Sequence, residues 1–302
     1  MLALIAPGQG SQTPGMLNSW IEDPTSKSFL MKWSADIDLD LVRLGTTADA
    51  DEIKDTANAQ PLIVATSLLA AHALGIKEFA LVSGHSVGEL AAAALSGAIG
   101  ESDALRLVRT RGIEMAKAAA TTPAGMSAVL GGDRSEVLAA IASLSLVAAN
   151  DNGAGQIVAA GDLTALATLA ENPPAGARVR ALAVAGAFHT SYMASAVAPL
   201  ADLAASISVH PPLIPFISNK DGAAVRSGAE IVARIVNQIA NPVRWDLCMQ
   251  ALKTMGITGV IELPPAGTLV GLLKRAVPEI ESFALKSALD IDAAREFAGR
   301  HQ

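Results

Sequence analysis

The 302-residue chain has one cysteine, one tyrosine and only 3% aromatic residues, and acidic side chains outnumber basic ones, 29 to 22. A lone Cys248 excludes an intrachain disulfide, and in the apolar run RWDLCMQAL it reads as a buried thiol, which suits a reducing compartment. A formal net charge of −7 leaves no clustered cationic excess to neutralise phosphates, so a nucleic-acid surface is excluded. Long hydrophobic runs are also missing. The opening MLALIAPG has no basic residue ahead of its turn at Pro7-Gly8, and Glu89 and Glu101 bracket the alanine-rich stretch, so neither a signal peptide nor a membrane span is expected. Several chemistries lack their motifs. GQGSQT has threonine where a third glycine would complete G-x-G-x-x-G, and no G-x-x-x-x-G-K-[ST], H-E-x-x-H or cysteine cluster occurs. The expectation is a cytoplasmic, soluble protein with no metal, no redox cofactor, no membrane and no nucleic-acid partner.

What is present is 51% hydrophobic residues arranged in short runs, enough for one elaborated domain or two moderate ones. LALIA (2–6) and FALVSG (79–84) read as buried strands; AQPLIVATSLLAAHAL (59–74) reads as a helix with Pro61 near its first turn, where a missing N–H costs nothing. VGELAAAALSGAI (87–99) and ESDALRLVRTRGIEMAKAAA (101–120) have helical spacing. From 125 to 185 the order becomes strand GMSAVLGG, helix RSEVLAAIASL, strands LVAAND and GQIVAAG, helix DLTALATLAEN and strand ARVRALAVA, the β-α-β-β-α-β plan of ferredoxin-like units. Larger units then return, with strand LIPFIS (213–218), helices AEIVARIVNQIA and WDLCMQALKTM, strand GVIEL (259–263) and helix TLVGLLKRAV. The expected fold class is therefore α/β: an α/β-hydrolase-like large subdomain with a mostly parallel sheet (1–122 and 188–302), interrupted by a ferredoxin-like small subdomain (123–187). No tandem repeat or low-complexity tract is found.

Within SGHSVGEL (83–90), GHSVG fits G-x-S-x-G between a strand and a helix, the setting of a nucleophile elbow. Such a turn exposes the Ser86 hydroxyl and aims the Val87 N–H at an oxyanion held there; Gly84 and Gly88 keep it uncrowded. A serine needs a base. His85 should point to the opposite face from its neighbour Ser86, His72 lies in an apolar helix as a core or rim histidine, and His210 and His301 lie beside prolines and at a loose terminus. His189 in GAFHTSYM remains. No carboxylate between Ser86 and His189 stands out as the third member of a triad. Arg111 on the helix 101–120 could pair with Glu114 on the surface, or hold an anion with its planar fork.

GQGSQ (8–12), AQP (59–61), GHSVGE (84–89), RGIEM (111–115), GMSAVLG (125–131), GQIVAAG (155–161), GAFHT (186–190), NPVRW (241–245) and PPAGTL (264–269) occur in order. With these motifs the chain resembles, nearly end to end, the malonyl-CoA:acyl carrier protein transacylases of fatty acid and polyketide synthesis. The resemblance implies that Ser86 carries the malonyl ester, that His189 is the base, and that a backbone carbonyl at Gln238 replaces the missing carboxylate. It implies an oxyanion hole from the backbone N–H groups of Gln9 and Val87, a grip on the malonyl carboxylate by Arg111, selectivity against branched malonyl groups from Phe188, and supporting contacts from Gln60. Coenzyme A is then a substrate carrier, and the partner is an acidic acyl carrier protein. Lys117, Arg178, Arg180, Lys274 and Arg275 are candidates for a basic docking rim. Relatives commonly have proline at the place of Ala154, next to Asn150 and Asn152. A serine hydrolase transferring to water, a non-catalytic module of the same fold, and an acyltransferase subunit serving malonate decarboxylase are the alternatives.

Overall fold

The computed structural model describes residues 1–302. Eleven strands run in chain order: β1 (Leu2–Ala6), β2 (Leu81–Gly84), β3 (Ala124–Gly131), β4 (Val147–Asp151), β5 (Gln156–Asp162), β6 (Ala177–Ala181), β7 (Phe216–Ile217), β8 (Ala224–Val225), β9 (Val243–Arg244), β10 (Gly259–Glu262) and β11 (Glu281–Ala284). They form two sheets, ordered β11-β10-β1-β2-β7-β8 and β6-β3-β5-β4-β9, within a mixed α/β chain. The larger sheet is parallel from β11 through β7, and only β8 runs against its neighbour. Its central strands β1 and β2 are buried along their whole length, as helices covering both faces of a parallel sheet require. Parallel register brings Ala6, Gly84 and Glu262, the last residues of β1, β2 and β10, to one edge. Crevices outside the carboxyl ends of such strands are where ligands bind in open α/β sheets.

In the smaller sheet β6, β3, β5 and β4 pair antiparallel, with helices Arg134–Ser143 and Leu163–Glu171 following β3 and β5. Val137, Ile141, Leu166 and Leu169 from these helices close a core with Val129 and Ile157 of the sheet. Three strands are not announced by the hydrophobic pattern: β8 and β11 at the two ends of the larger sheet, and β9, which pairs parallel with β4 through Asn150↔Val243 and Asp151↔Arg244. The two residues of β8 and of β9 are too few for a periodic signal, and the four of β11 are not buried.

Several expected elements differ in extent. The helix expected over 59–74 begins at Thr56 under an Asp55 cap, which puts Pro61 inside it. The carbonyl that Pro61 leaves without an N–H donor, that of Ala57, accepts instead from Arg109 Nη1 at 2.9 Å. The run LIPFIS shrinks to the two residues of β7, because Pro215 has no N–H to donate and Leu213 lies 88% exposed. The run ARVRALAVA leaves the ladder after Ala181, and Leu182 and Val184 then turn into the cavity described below. A further helix, Pro24–Ile37, is present, capped by Asp23 and opened by Pro24. The C-terminal helix Ile291–Gly299 packs down, so His301, expected at a loose end, is buried against the Phe297 ring at 4.6 Å. No helix is long and apolar enough to cross a membrane.

Candidate active site

The edge of the larger sheet carries a sharp turn between β2 and the helix Gly88–Leu95, with Ser86 at its tip in the left-handed region, φ 53°. Non-glycine residues hold that conformation only when their surroundings enforce it. Here the Ser86 N–H donates to Asn219 Oδ1 at 2.8 Å. The flanking glycines are required by space: a Cβ on Gly84 would lie 2.1 Å from the Gly88 carbonyl carbon, and one on Gly88 2.3 Å from the Ala6 oxygen.

His189, also left-handed at φ 62°, places Nε2 2.7 Å from Ser86 Oγ. Its Nδ1 lies 2.7 Å from the main-chain oxygen of Gln238. A carbonyl can only accept, so Nδ1 carries the proton and the Nε2 lone pair faces the hydroxyl. The carbonyl is available because the helix Gly228–Gln238 ends there, which leaves its last oxygens without helical donors; it also accepts a longer bond from the Asn241 N–H at 3.3 Å. Burial, with the Arg111 charge second, lowers the His189 pKa to about 3. The imidazole is therefore a neutral acceptor throughout the physiological range.

Arg111 is 1% exposed. It donates from Nη1 to Gln60 Oε1 at 2.6 Å and from Nη2 to Gln238 Oε1 at 3.1 Å, with Ser86 Oγ 3.4 Å from Nη2. Burial lowers its pKa to about 10, opposed by Glu89, so it stays charged at neutral pH. The surface alternative does not form: Glu114 pairs with Lys117. Gln60, expected only as support, is thus in direct contact with the guanidinium.

Two residues of the site were not singled out by the sequence. Glu89, the second residue of the elbow helix, is fully buried; its Oε1 accepts from the Asn219 N–H and its Oε2 from Gln238 Nε2, both at 2.6 Å. Asn219 in turn donates from Nδ2 to the Gly84 carbonyl at 2.7 Å. Burial pushes Glu89 up to about 8, against the pull of Asn219 and Arg111. That value alone would keep the group protonated at neutral pH, yet both of its bonds are accepted ones, from an N–H and an amide NH₂, the arrangement of a carboxylate. A glutamate directly after an elbow and among alanines was the available signal; Asn219, far along the chain, offered none.

His85 departs from expectation. Its ring does turn from Ser86, with Nε2 2.8 Å from Asn152 Oδ1 and its edge against Trp245, but it lines the same cavity instead of packing away from it. Extended alternation does not apply, because the chain is already turning at this residue. His72 does not reach the cavity; it is exposed on its helix, stacked on Phe29 and paired with Glu101.

The cavity, about 240 Å³, holds Ser86, His189 and Arg111 together with Gln9, Gln60 and Phe188, and its far wall carries Met126, Val158 and Leu182. The N–H groups of Gln9 and Val87 donate to no backbone acceptor. Asn150 and Asn152 are buried beside it, while Ala154 is left-handed at φ 49°, a conformation closed to proline. Arg178, Arg180, Lys274 and Arg275 are exposed, as is Lys117 in its pair with Glu114. Cys248 is buried next to Asn219, and burial pushes its thiol pKa up, so it is inert. No three histidine, cysteine, aspartate or glutamate side chains gather as metal ligands.

The acyl transferase domain family matches residues 4–296. The chain is 54% identical over 297 residues to the malonyl CoA-acyl carrier protein transacylase of Mycobacterium tuberculosis, covering 97% of this chain and 98% of that protein. A crystal structure of MCAT from Mycobacterium tuberculosis superposes with a TM-score of 0.95 at 53% identity, over 98% of this chain and 99% of that one. A malonyl-transacylase solved in complex with its holo type II PKS acyl-carrier protein superposes with a TM-score of 0.91 at 30% identity, over 98% and 99%.

Proposed function

This chain belongs to the acyl transferase domain family, and from that membership we propose that it moves a malonyl group from malonyl-CoA to the phosphopantetheine thiol of acyl carrier protein, supplying fatty acid or polyketide elongation. The observation that carries the reading is Arg111: a buried, charged guanidinium 3.4 Å from the Ser86 hydroxyl whose bonded partners are neutral amide oxygens. A cation held this way is suited to a substrate carboxylate, which it can meet bidentately.

Ser86 Oγ attacks the thioester carbonyl as His189 Nε2 takes its proton. The oxyanion is met by the N–H groups of Gln9 and Val87, each worth on the order of a hundredfold in rate. The C–S bond breaks and the coenzyme A thiolate leaves with the proton from His189. The carrier thiol then gives its proton to His189 and attacks the malonyl ester, and Ser86 recovers the proton as it leaves. The Gln238 carbonyl holds the imidazole in one tautomer throughout. Phe188 crowds the position of an α-methyl branch. The transfer draws on no metal or redox group, since every step is proton movement and acyl exchange. Arg178, Arg180, Lys274 and Arg275 are assigned to the rim that meets the acidic carrier, and the cytoplasm is the compartment.

The same reading treats the chain as an α/β-hydrolase-like large subdomain (1–122 and 188–302) with a ferredoxin-like insert (123–187). The order β6-β3-β5-β4, with helices after its first and third strands in sequence, supports the insert.

Incubation with malonyl-CoA and purified holo carrier protein tests the function. Malonyl-serine on the enzyme and malonyl-thioester on the carrier are the expected products by intact mass. Steady release of free malonate with no carrier acylation would make it a hydrolase instead.

A further inference from the structure

Two glutamates are buried at the carboxyl edge of the larger sheet, and only one has a local task. Glu262, ending β10, accepts from the N–H groups of Gly267, Leu269 and Val270 and so caps the helix that follows. Glu89 instead accepts from groups 130 and 149 residues away, Asn219 N and Gln238 Nε2.

An ionised carboxylate only accepts, so it decides how the Gln238 amide is turned. Nε2 must face Glu89, where Asn219 Oδ1 supplies a second acceptor at 3.2 Å, and Oε1 must face the other way. What lies that way is Arg111 Nη2, at 3.1 Å. The guanidinium therefore rests on two amide oxygens, with a negative charge standing one amide behind. A carboxylate in direct contact would hold Arg111 more tightly but would occupy the charge that a substrate must meet.

We propose that Glu89 is a positioning residue for substrate recognition: by fixing the Gln238 amide it sets the pose in which Arg111 receives the free carboxylate of the acyl group. The inference rests on the malonyl reading of Arg111 given above.

Glu89→Gln keeps size and shape but puts an amide N–H₂ against one of two donors, so Gln238 is released or turned and Arg111 loses an acceptor. The expected result for serine acylation is a fall in kcat/KM of about tenfold or more with malonyl-CoA, mostly in KM, against less than about threefold with acetyl-CoA. Glu89→Asp, which retains the charge, should recover part of the malonyl-to-acetyl ratio. The double variant Glu89→Gln/Gln238→Glu restores the donor–acceptor match between positions 89 and 238 and keeps an acceptor on Arg111, but it turns an oxygen toward Asn219 Oδ1 and sets a carboxylate directly on the guanidinium. It should therefore unfold at a higher temperature than Glu89→Gln with the ratio still low, which guards against a simple folding defect. Equal losses on both thioesters in Glu89→Gln, or a parental ratio in the double variant, would overturn the proposal. Arg111→Ala run in parallel separates the two layers. If it loses the malonyl preference while Glu89→Gln keeps it, Glu89 alone is rejected; if Arg111→Ala keeps the preference, the malonyl reading falls and this inference with it.

Discussion

The two sheets both contribute to the cavity, in unlike ways. The edge of the larger sheet brings Ser86, His189 and Arg111, each fixed by polar contacts from distant segments, and two of them in strained backbone. The smaller sheet and the segments beside it bring the apolar surface of Met126, Val158 and Leu182 together with the amides of Asn150, Asn152 and Gln156. Of these amides Asn152 meets His85, and none bonds to Ser86, His189 or Arg111. Preorganisation is concentrated in the floor around Ser86, where charge develops during transfer; the apolar part of the wall contributes shape and dryness.

That contrast breaks if the wall proves chemically necessary or the floor dispensable. Ser86→Ala is the most severe change, with no malonyl adduct by intact mass after mixing with malonyl-CoA; an adduct that persists would move the attachment point elsewhere. His189→Ala should slow serine acylation about 10²–10⁴-fold in single-turnover measurements, the usual contribution of a general base. Arg111→Ala should cost about 1.5–3 kcal/mol in transition-state stabilisation for malonyl-CoA, and less for acetyl-CoA. Equal losses would remove the carboxylate role.

A pH profile sharpens the floor further. Because burial and Arg111 hold the His189 pKa down to about 3, the acid limb of kcat/KM should fall well below the 6.5 of a free imidazole. Arg111→Gln removes one of the depressing charges, so the His189 pKa rises and the limb moves toward 6.5. The smallest effect on rate is expected in the wall: Val158→Ala should change kcat/KM by less than about threefold while lowering stability by about 1–2 kcal/mol, read as a drop in Tm.

The parts of the site that were legible in the sequence share one property. Ser86 is announced by its own neighbours, since the glycines on either side are demanded by contacts within the same turn. The alternating strands and helices, and the β-α-β-β-α-β order from 125 to 185, follow from short-range periodicity. His189 is legible only by elimination among five histidines, and the remaining roles only through resemblance. Asn219 and β9 were invisible, because neither carries a local pattern. Glu89 was visible as a residue but not as a buried acceptor, since its two donors lie far along the chain.

The sequence by itself therefore determined the α/β alternation, the strand-turn-helix that exposes Ser86, and the absence of any disulfide. These depend on interactions between residues a few positions apart. Only the tertiary structure decided that the end of a helix at Gln238 would orient His189, that Arg111 would turn inward from Glu114 to Gln60 and Gln238, and that His85 would border the same cavity. Each of these is a hydrogen bond or contact between segments brought together by burial of the core, and a buried polar group takes whichever partner the packing leaves within reach.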